Sequence, residues 1–219
     1  MMGGRKLLDE HLKNIQDDIL RLGSLVGQAA DLAVQAFIKN DLKIAGQVVE
    51  GDNEIDALHH RLEEDIIATV ALQQPMAADL RHLIAALLIT NELERMGDYA
   101  EGTARTVLRS EGSPSDIPPQ FMEMSALVIK MIENVMDAFV TGDVEKARAT
   151  ARMDDQLDAL YKQQFSQIVQ RMGKGEEMIE QGTYLLWATH NMERIGDRVT
   201  NICERITYAV TGDIGSLNL

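Results

Sequence analysis

Apolar residues recur along this chain at alternating steps of four and three. Leu8, Leu12, Ile15, Ile19, Leu22 and Val26 begin the pattern, and Ala29, Ala33 and Ala36 extend it. Such spacing lays one apolar stripe along a long helix. At Asn40-Asp41 the pattern resets on a capping residue, and Ala45, Val48, Ile55, Leu58, Leu62 and Ile66 predict a second helix that ends near Gln73-Gln74-Pro75. Proline disfavours helix at the residue before it yet suits a first turn, so a third helix carrying Leu80, Leu83 and Leu87 is expected to start at Pro75. Three antiparallel helices with short connections make a bundle.

The stretch from Ser110 to Pro119 holds three of the four prolines and no core periodicity, so it reads as a boundary. Beyond it the pattern starts again. Seams run from about Phe121 to Val140, from Asp143 to about Met172, and from about Glu176 to Val210, with breaks at Thr141-Gly142-Asp143 and Gly173-Lys174-Gly175. The expected fold is all-α: two three-helix bundles in tandem, six helices in all, with residues 1–110 and 118–212 as the two repeats.

The two halves also match residue by residue, which patterning alone does not require. Glu94-Arg95-Met96-Gly97-Asp98 recurs as Glu193-Arg194-Ile195-Gly196-Asp197, an offset of 99. Asp52-Asn53-Glu54-Ile55-Asp56 matches Asp154-Asp155-Gln156-Leu157-Asp158, and Phe37 and Asp41 match Phe139 and Asp143, at an offset of 102. The shift of three between the offsets predicts a slightly shorter turn before the last helix.

Composition narrows the function. With 35 Asp plus Glu against 21 Lys plus Arg, the formal charge is −14, which repels a phosphate backbone and argues against nucleic-acid binding. Cys203 is the only cysteine, so no intramolecular disulfide and no cysteine-based zinc spacing can exist, which fits a reducing cytoplasm. Charges interrupt Met1 to Glu10 where a secretory signal needs apolar residues. The longest apolar run, Leu83 to Ile89, is far short of the ~20 residues of a membrane span, so any membrane association is expected to go through a partner.

The repeated acids carry the candidate chemistry. Residues four apart share a helix face, so Glu94 with Asp98 and Asp52 with Asp56 can converge. Glu94 lies seven residues after Leu87, and Glu101 seven after Glu94, which continues the apolar seam with acids. The second half repeats this with Ile179, Leu186, Glu193 and Thr200. Carboxylates crowded onto such a seam repel one another and lose hydration, and a multivalent cation reverses both effects. Pairing with Arg95 or Arg194, or wetting at frayed bundle ends, would be the plain alternatives. The oxygen-rich donor set suits Mg²⁺, Mn²⁺, Ca²⁺ or iron better than a structural zinc. His59, His60, His82 and His190 show no matching spacing in both halves and read as core or surface residues.

Three features together resemble the PhoU family of phosphate-signalling regulators over nearly the whole chain. They are Gln74-Pro75-Met76-Ala77-Ala78-Asp79-Leu80-Arg81, the Glu-Arg-x-Gly-Asp motif in both halves, and the paired Asp-x-x-x-Asp before each. The resemblance implies multinuclear metal clusters on the acidic faces, of iron or zinc, with Mg²⁺ or Mn²⁺ also associated with the family. Carried over by position, the ligands are Asp52, Asp56, Glu94, Asp98 and Glu101 in the first copy, and Asp154, Asp158, Glu193, Asp197 and Asn201 in the second. Thr200 aligns with Glu101 and Asn201 with Gly102, so ligand number is expected to differ between the copies. The resemblance further implies a cytoplasmic adaptor, peripheral at the inner membrane through its partners. It would couple a Pst-type phosphate transporter ATPase to a PhoR-type sensor histidine kinase and restrain the phosphate-starvation response.

Two other readings compete. A carboxylate-bridged di-metal oxidase of the ferritin-like type needs Glu-x-x-His on two helices, and neither Glu94 nor Glu193 has a histidine three residues on. Asp56-Ala57-Leu58-His59 is the nearest imitation and has no second copy. A purely structural helical interaction module would tolerate leucine in place of the acids. Catalysis is not expected, since Gly173-Lys174-Gly175 lacks the rest of a phosphate-binding loop. Apolar seam left over beyond one three-helix core points to a homodimer.

Overall fold

The computed structural model describes residues 2–110 and 117–213. Of the expected Ser110–Pro119 boundary, residues 111–116 therefore lie outside the described residues. Helices α1 (Met2–Lys39), α2 (Leu42–Gln73) and α3 (Ala78–Arg109) form the first bundle. The second is built from α4 (Pro119–Thr141), α5 (Val144–Ala151), α6 (Asp154–Met172) and α7 (Glu176–Thr211). No strand occurs among the described residues. None of the helices searched is long and apolar enough to cross a membrane.

The expected caps are in place. Asp41 accepts from the backbone N–H groups of Lys43 at 2.9 Å and Ile44 at 3.0 Å, and its counterpart Asp143 accepts from Lys146 N–H at 2.9 Å. Each satisfies donors that the first turn leaves without a partner. Gly142, at φ +63°, closes α4 in the left-handed conformation that glycine tolerates best.

Two boundaries differ from expectation. Pro75 lies before α3 and not within it, because the reversal needs positive φ at both Gln74 (φ 48°) and Ala77 (φ 48°), which interrupts the helix until Ala78. The expected helix from Asp143 to Met172 is interrupted at Arg152 and Met153, where Met153 N–H bonds to Thr150 O and Gln156 N–H to Met153 O, both three residues back. Together α5 and α6 fill the place that unbroken α2 fills in the first bundle. The shortening behind the shift of three falls mainly at a helix end: α6 stops at Met172, whereas the position matching Gln73 is 175.

Residues from both halves share one apolar core, including Leu22, Phe37, Leu62, Leu83, Met96, Phe121, Val135, Leu157, Ile195 and Ile202. Phe37 and Phe121 meet across the halves with ring centroids 5.1 Å apart. Between α3 and α7 the contact is also polar. Glu92 Oε2 accepts from Arg198 Nη1 at 3.1 Å and from Asn201 Nδ2 at 3.2 Å, and Asn191 Nδ2 donates to Thr103 Oγ1 at 3.1 Å. Arg81 Nε donates to Ala209 O at 3.1 Å near the far end of the same pair. Partners early on α3 thus meet residues late on α7, so these two helices run antiparallel. Their joint face places α2 and α6 on the flanks, where the acidic motifs lie.

Candidate functional site

In the first bundle, Asp52 and Asp56 project from α2 and Glu94, Asp98 and Glu101 from α3. The five share one electrostatic field. Burial pushes the Asp52 carboxyl up to about 6, and Glu101, Asp56, Asp98 and Glu94 push in the same direction. Burial and then Asp98 raise Glu94, with His59 and Arg95 pulling the other way. Asp98 is raised by burial, Asp56 and Glu101, and is likewise opposed by Arg95 and His59. Asp56 and Asp98 are exposed and the other three half-buried, so the acidic seam opens to solvent and is not sealed within the bundle.

The second bundle repeats the arrangement at four of the five positions, and Asp155 adds a fifth acid. Burial raises Asp154 to about 6, followed by Asp197, Asp158 and Asp155. Glu193 is raised by burial and then Asp197, against Arg194. Here more of the charge is met by cations. Arg194 Nη1 lies 2.7 Å from Asp197 Oδ2, and Lys162 Nζ lies 2.9 Å from Asp158 Oδ2. The arginine pairing weighed from sequence is therefore real in the second copy. In the first, Arg105 pairs with Glu101. Asn201, expected as a ligand, has its amide on Glu92 at the α3–α7 contact.

The motif glycine explains how the helices come so close. A Cβ on Gly97 would sit 3.1 Å from Ile55 Cγ2 and 3.4 Å from Asp52 Oδ1. On Gly196 it would collide with Leu157 Cδ2 and lie 3.3 Å from Asp154 Oδ1. Ile55 and Leu157, like Asp52 and Asp154, are repeat counterparts. In both copies the missing side chain makes room for the neighbouring helix and sets its first aspartate beside the motif.

Across the described residues, the model of the PhoU domain matches 19–107 and again 121–206. The chain belongs to the PhoU family. A PhoU homologue from Clostridium acetobutylicum, described as a phosphate-specific transport system accessory protein, is 33% identical over 98% of this chain and 99% of its own length. One from Zymomonas mobilis, with the same description, is 36% identical over 94% and 88%. The crystal structure of the PhoU regulatory protein from Streptococcus pneumoniae superposes with a TM-score of 0.89 at 30% identity, covering 95% of this chain and 99% of that one. PhoU from Pseudomonas aeruginosa gives 0.90 at 31% identity, covering 94% and 99%.

Sequence reasoning on this PhoU chain missed two histidines. His59, on α2, is buried and acts on both Glu94 and Asp98. In the second copy the position matching His59 is Tyr161, while His190, on α7, matches Asn91. His190 Nδ1 lies 3.5 Å from Glu193 Oε2, and burial lowers its pKa, with Arg194 lowering it further. Tyr161 and His190 pack with ring centroids 6.4 Å apart, where His59 Nε2 and Asn91 Oδ1 are 2.9 Å apart in the first copy. Each acidic group thus has one imidazole beside its motif glutamate, supplied from opposite sides of the same helix pair. Matching spacing could not reveal it, because the contributing helix changes.

Proposed function

We propose that this chain is a metal-binding adaptor of the phosphate-specific transport system. It relays phosphate sufficiency from a Pst-type transporter ATPase to a PhoR-type sensor histidine kinase in the cytoplasm, and so restrains the phosphate-starvation response. The observation that carries the reading is the duplicated acidic group, in which Asp52 and Asp154 are both pushed to about 6 by burial and by their fellow acids. The descriptions of its relatives as accessory proteins of that transport system point the same way. Residues 1–110 and 118–212 act as its two repeats, and catalysis is not part of the role.

The donor set fits a cation on its chemistry. Oxygens that raise one another's pKa are those a divalent or trivalent ion stabilises most, and the space left at Gly97 and Gly196 holds the first aspartate in reach. Asp52, Asp56, Glu94, Asp98 and Glu101 would hold ions in the first copy, and Asp154, Asp158, Glu193 and Asp197 in the second. Ions there supply positive charge that locks α2 to α3 and α6 to α7, which stiffens the surface offered to a partner.

The test is elemental analysis of the purified protein and of Glu94→Ala and Glu193→Ala, alongside recovery of the tagged protein's partners from phosphate-fed and phosphate-starved cells. Each variant should lose ions from its own copy, and the kinase and transporter should be recovered with the native chain. Full metal content in both variants, or recovery of neither partner in either condition, overturns the reading. Peroxide-dependent turnover would favour the oxidase instead.

A further inference from the structure

We propose that His59, His60 and Glu63 form a separate nitrogen-containing site for a borderline divalent transition ion such as Zn²⁺, present in the first copy alone. Donor atoms of these three side chains lie within 4.8 Å of one another, and no other such group of three is found among the described residues. His59 Nε2 is 3.9 Å from Glu63 Oε1, and His60 Nδ1 is 4.0 Å from Glu63 Oε2. The spacing is helical: Glu63 follows His59 by four and His60 by three, so all three converge over one turn of α2.

Asn91 offers an oxygen as fourth donor once its hydrogen bond to His59 is given up. Asn91 Oδ1, from α3, lies 2.9 Å from His59 Nε2. A tetrahedral zinc with bonds of about 2.0–2.1 Å has donor–donor edges of about 3.3 Å. The separations of 3.9 and 4.0 Å lie slightly above that edge and the 2.9 Å Asn91–His59 hydrogen bond below it, so closing around an ion draws in the long Glu63 side chain and the exposed His60 ring and exchanges that hydrogen bond for bonds to the ion.

The burial pattern favours a ligand over an incidental pair. The His59 side chain is only 10% exposed, and its Nδ1 has no hydrogen-bond partner. Burial holds the His59 ring in one orientation, with Nε2 turned toward Asn91 and Glu63. His60, at 74% exposed, and Glu63, at 37%, leave the site open to arriving ions. Imidazole donors select zinc, copper, nickel or iron over Mg²⁺ and Ca²⁺, unlike the all-oxygen groups of the two motifs. The second copy has Tyr161, Lys162 and Phe165 at the corresponding positions, and Lys162 is engaged with Asp158. No equivalent site can form there.

The experiment is a Zn²⁺ titration of the metal-stripped full chain, followed by equilibrium dialysis and elemental analysis, with Co²⁺ as a visible-absorbing substitute. His60→Ala and Glu63→Gln alter solvent-accessible side chains, and circular dichroism checks that they fold. Each should bind about one Zn²⁺ fewer per chain than the native protein and lose the Co²⁺ absorption of a nitrogen-bearing site. Asp197→Asn, in the acidic group of the second copy, should retain that ion and its spectrum. Native zinc content in either His60→Ala or Glu63→Gln overturns the proposal. Loss of the acidic-group ions alone leaves this site standing, which separates its failure from failure of the adaptor reading.

Discussion

Asp52 and Asp154 have carboxyls held near 6, against an ordinary value of 3.8. A raised folded-state pKa means the folded chain binds the proton more tightly than the unfolded one, so this contribution favours folding at low pH and is lost as pH climbs through 6. The metal-free protein should therefore gain from these two groups as pH falls from about 6 toward 4. Comparing melting temperatures with the Asp52→Asn/Asp154→Asn variant isolates the effect. Metal-free, the variant should melt higher than the native chain at pH 7.5 and the difference should vanish near pH 4; with ions supplied at pH 7.5 the order should reverse. A second prediction concerns Gly97. Ile55 Cγ2 is fixed close to its backbone and has little freedom to retreat from an added methyl. Gly97→Ala should thus destabilise by about 1–3 kcal/mol despite alanine's better helix propensity, and weaken metal binding in the first copy, as denaturant unfolding and metal titration would show. The acids of both groups were legible from sequence because their spacing recurs on one helix face. The glycine's task was not, since it depends on the distance between two helices. Neither was the role of His59, whose counterpart imidazole comes from another helix.

At the level of elements, α3 and α7 are joined through Glu92, which meets Arg198 and Asn201. The side chains of Glu92 and Arg198 are only 19% and 18% exposed, so neither charge has much water to fall back on. Removing one partner strands the other. Glu92→Ala should cost up to about 3 kcal/mol, below the range for a fully buried pair because some solvent reaches both. Urea unfolding of Glu92→Ala, Arg198→Ala and the double variant would show a coupling, with the double variant less destabilised than the two single effects added together. The helices were largely legible, because seams of four and three run their length and Asp41 and Asp143 mark their starts. The interruption at Arg152-Met153 was not. Met153 sits where an apolar residue suits either continued helix or a turn, and a pattern of apolar positions does not register a shift to bonds three residues back.

Across the whole molecule the two acidic groups are unequal. Each gathers five carboxylates, with Asp155 making up the number in the second, but the first has Arg105 on one of them, whereas the second has Arg194 and Lys162 directly on Asp197 and Asp158. More unmet negative charge attracts cations more strongly. Calorimetric titration of the metal-free protein should resolve a tighter class of sites abolished by Glu94→Ala and a weaker class abolished by Glu193→Ala, both weakening as salt rises. The polar α3–α7 contact has a consequence of its own. By repeat position, Glu92 corresponds to Asn191, Arg198 to Tyr99 and Asn201 to Gly102. A half-chain docking against its own twin through this face would set Glu92 beside a phenol and a bare glycine, with no guanidinium to meet it. The halves are therefore lock and key, not mirror images: set against a duplicate of itself, either half would lose the Glu92–Arg198 pair that joins it to its sister within one polypeptide.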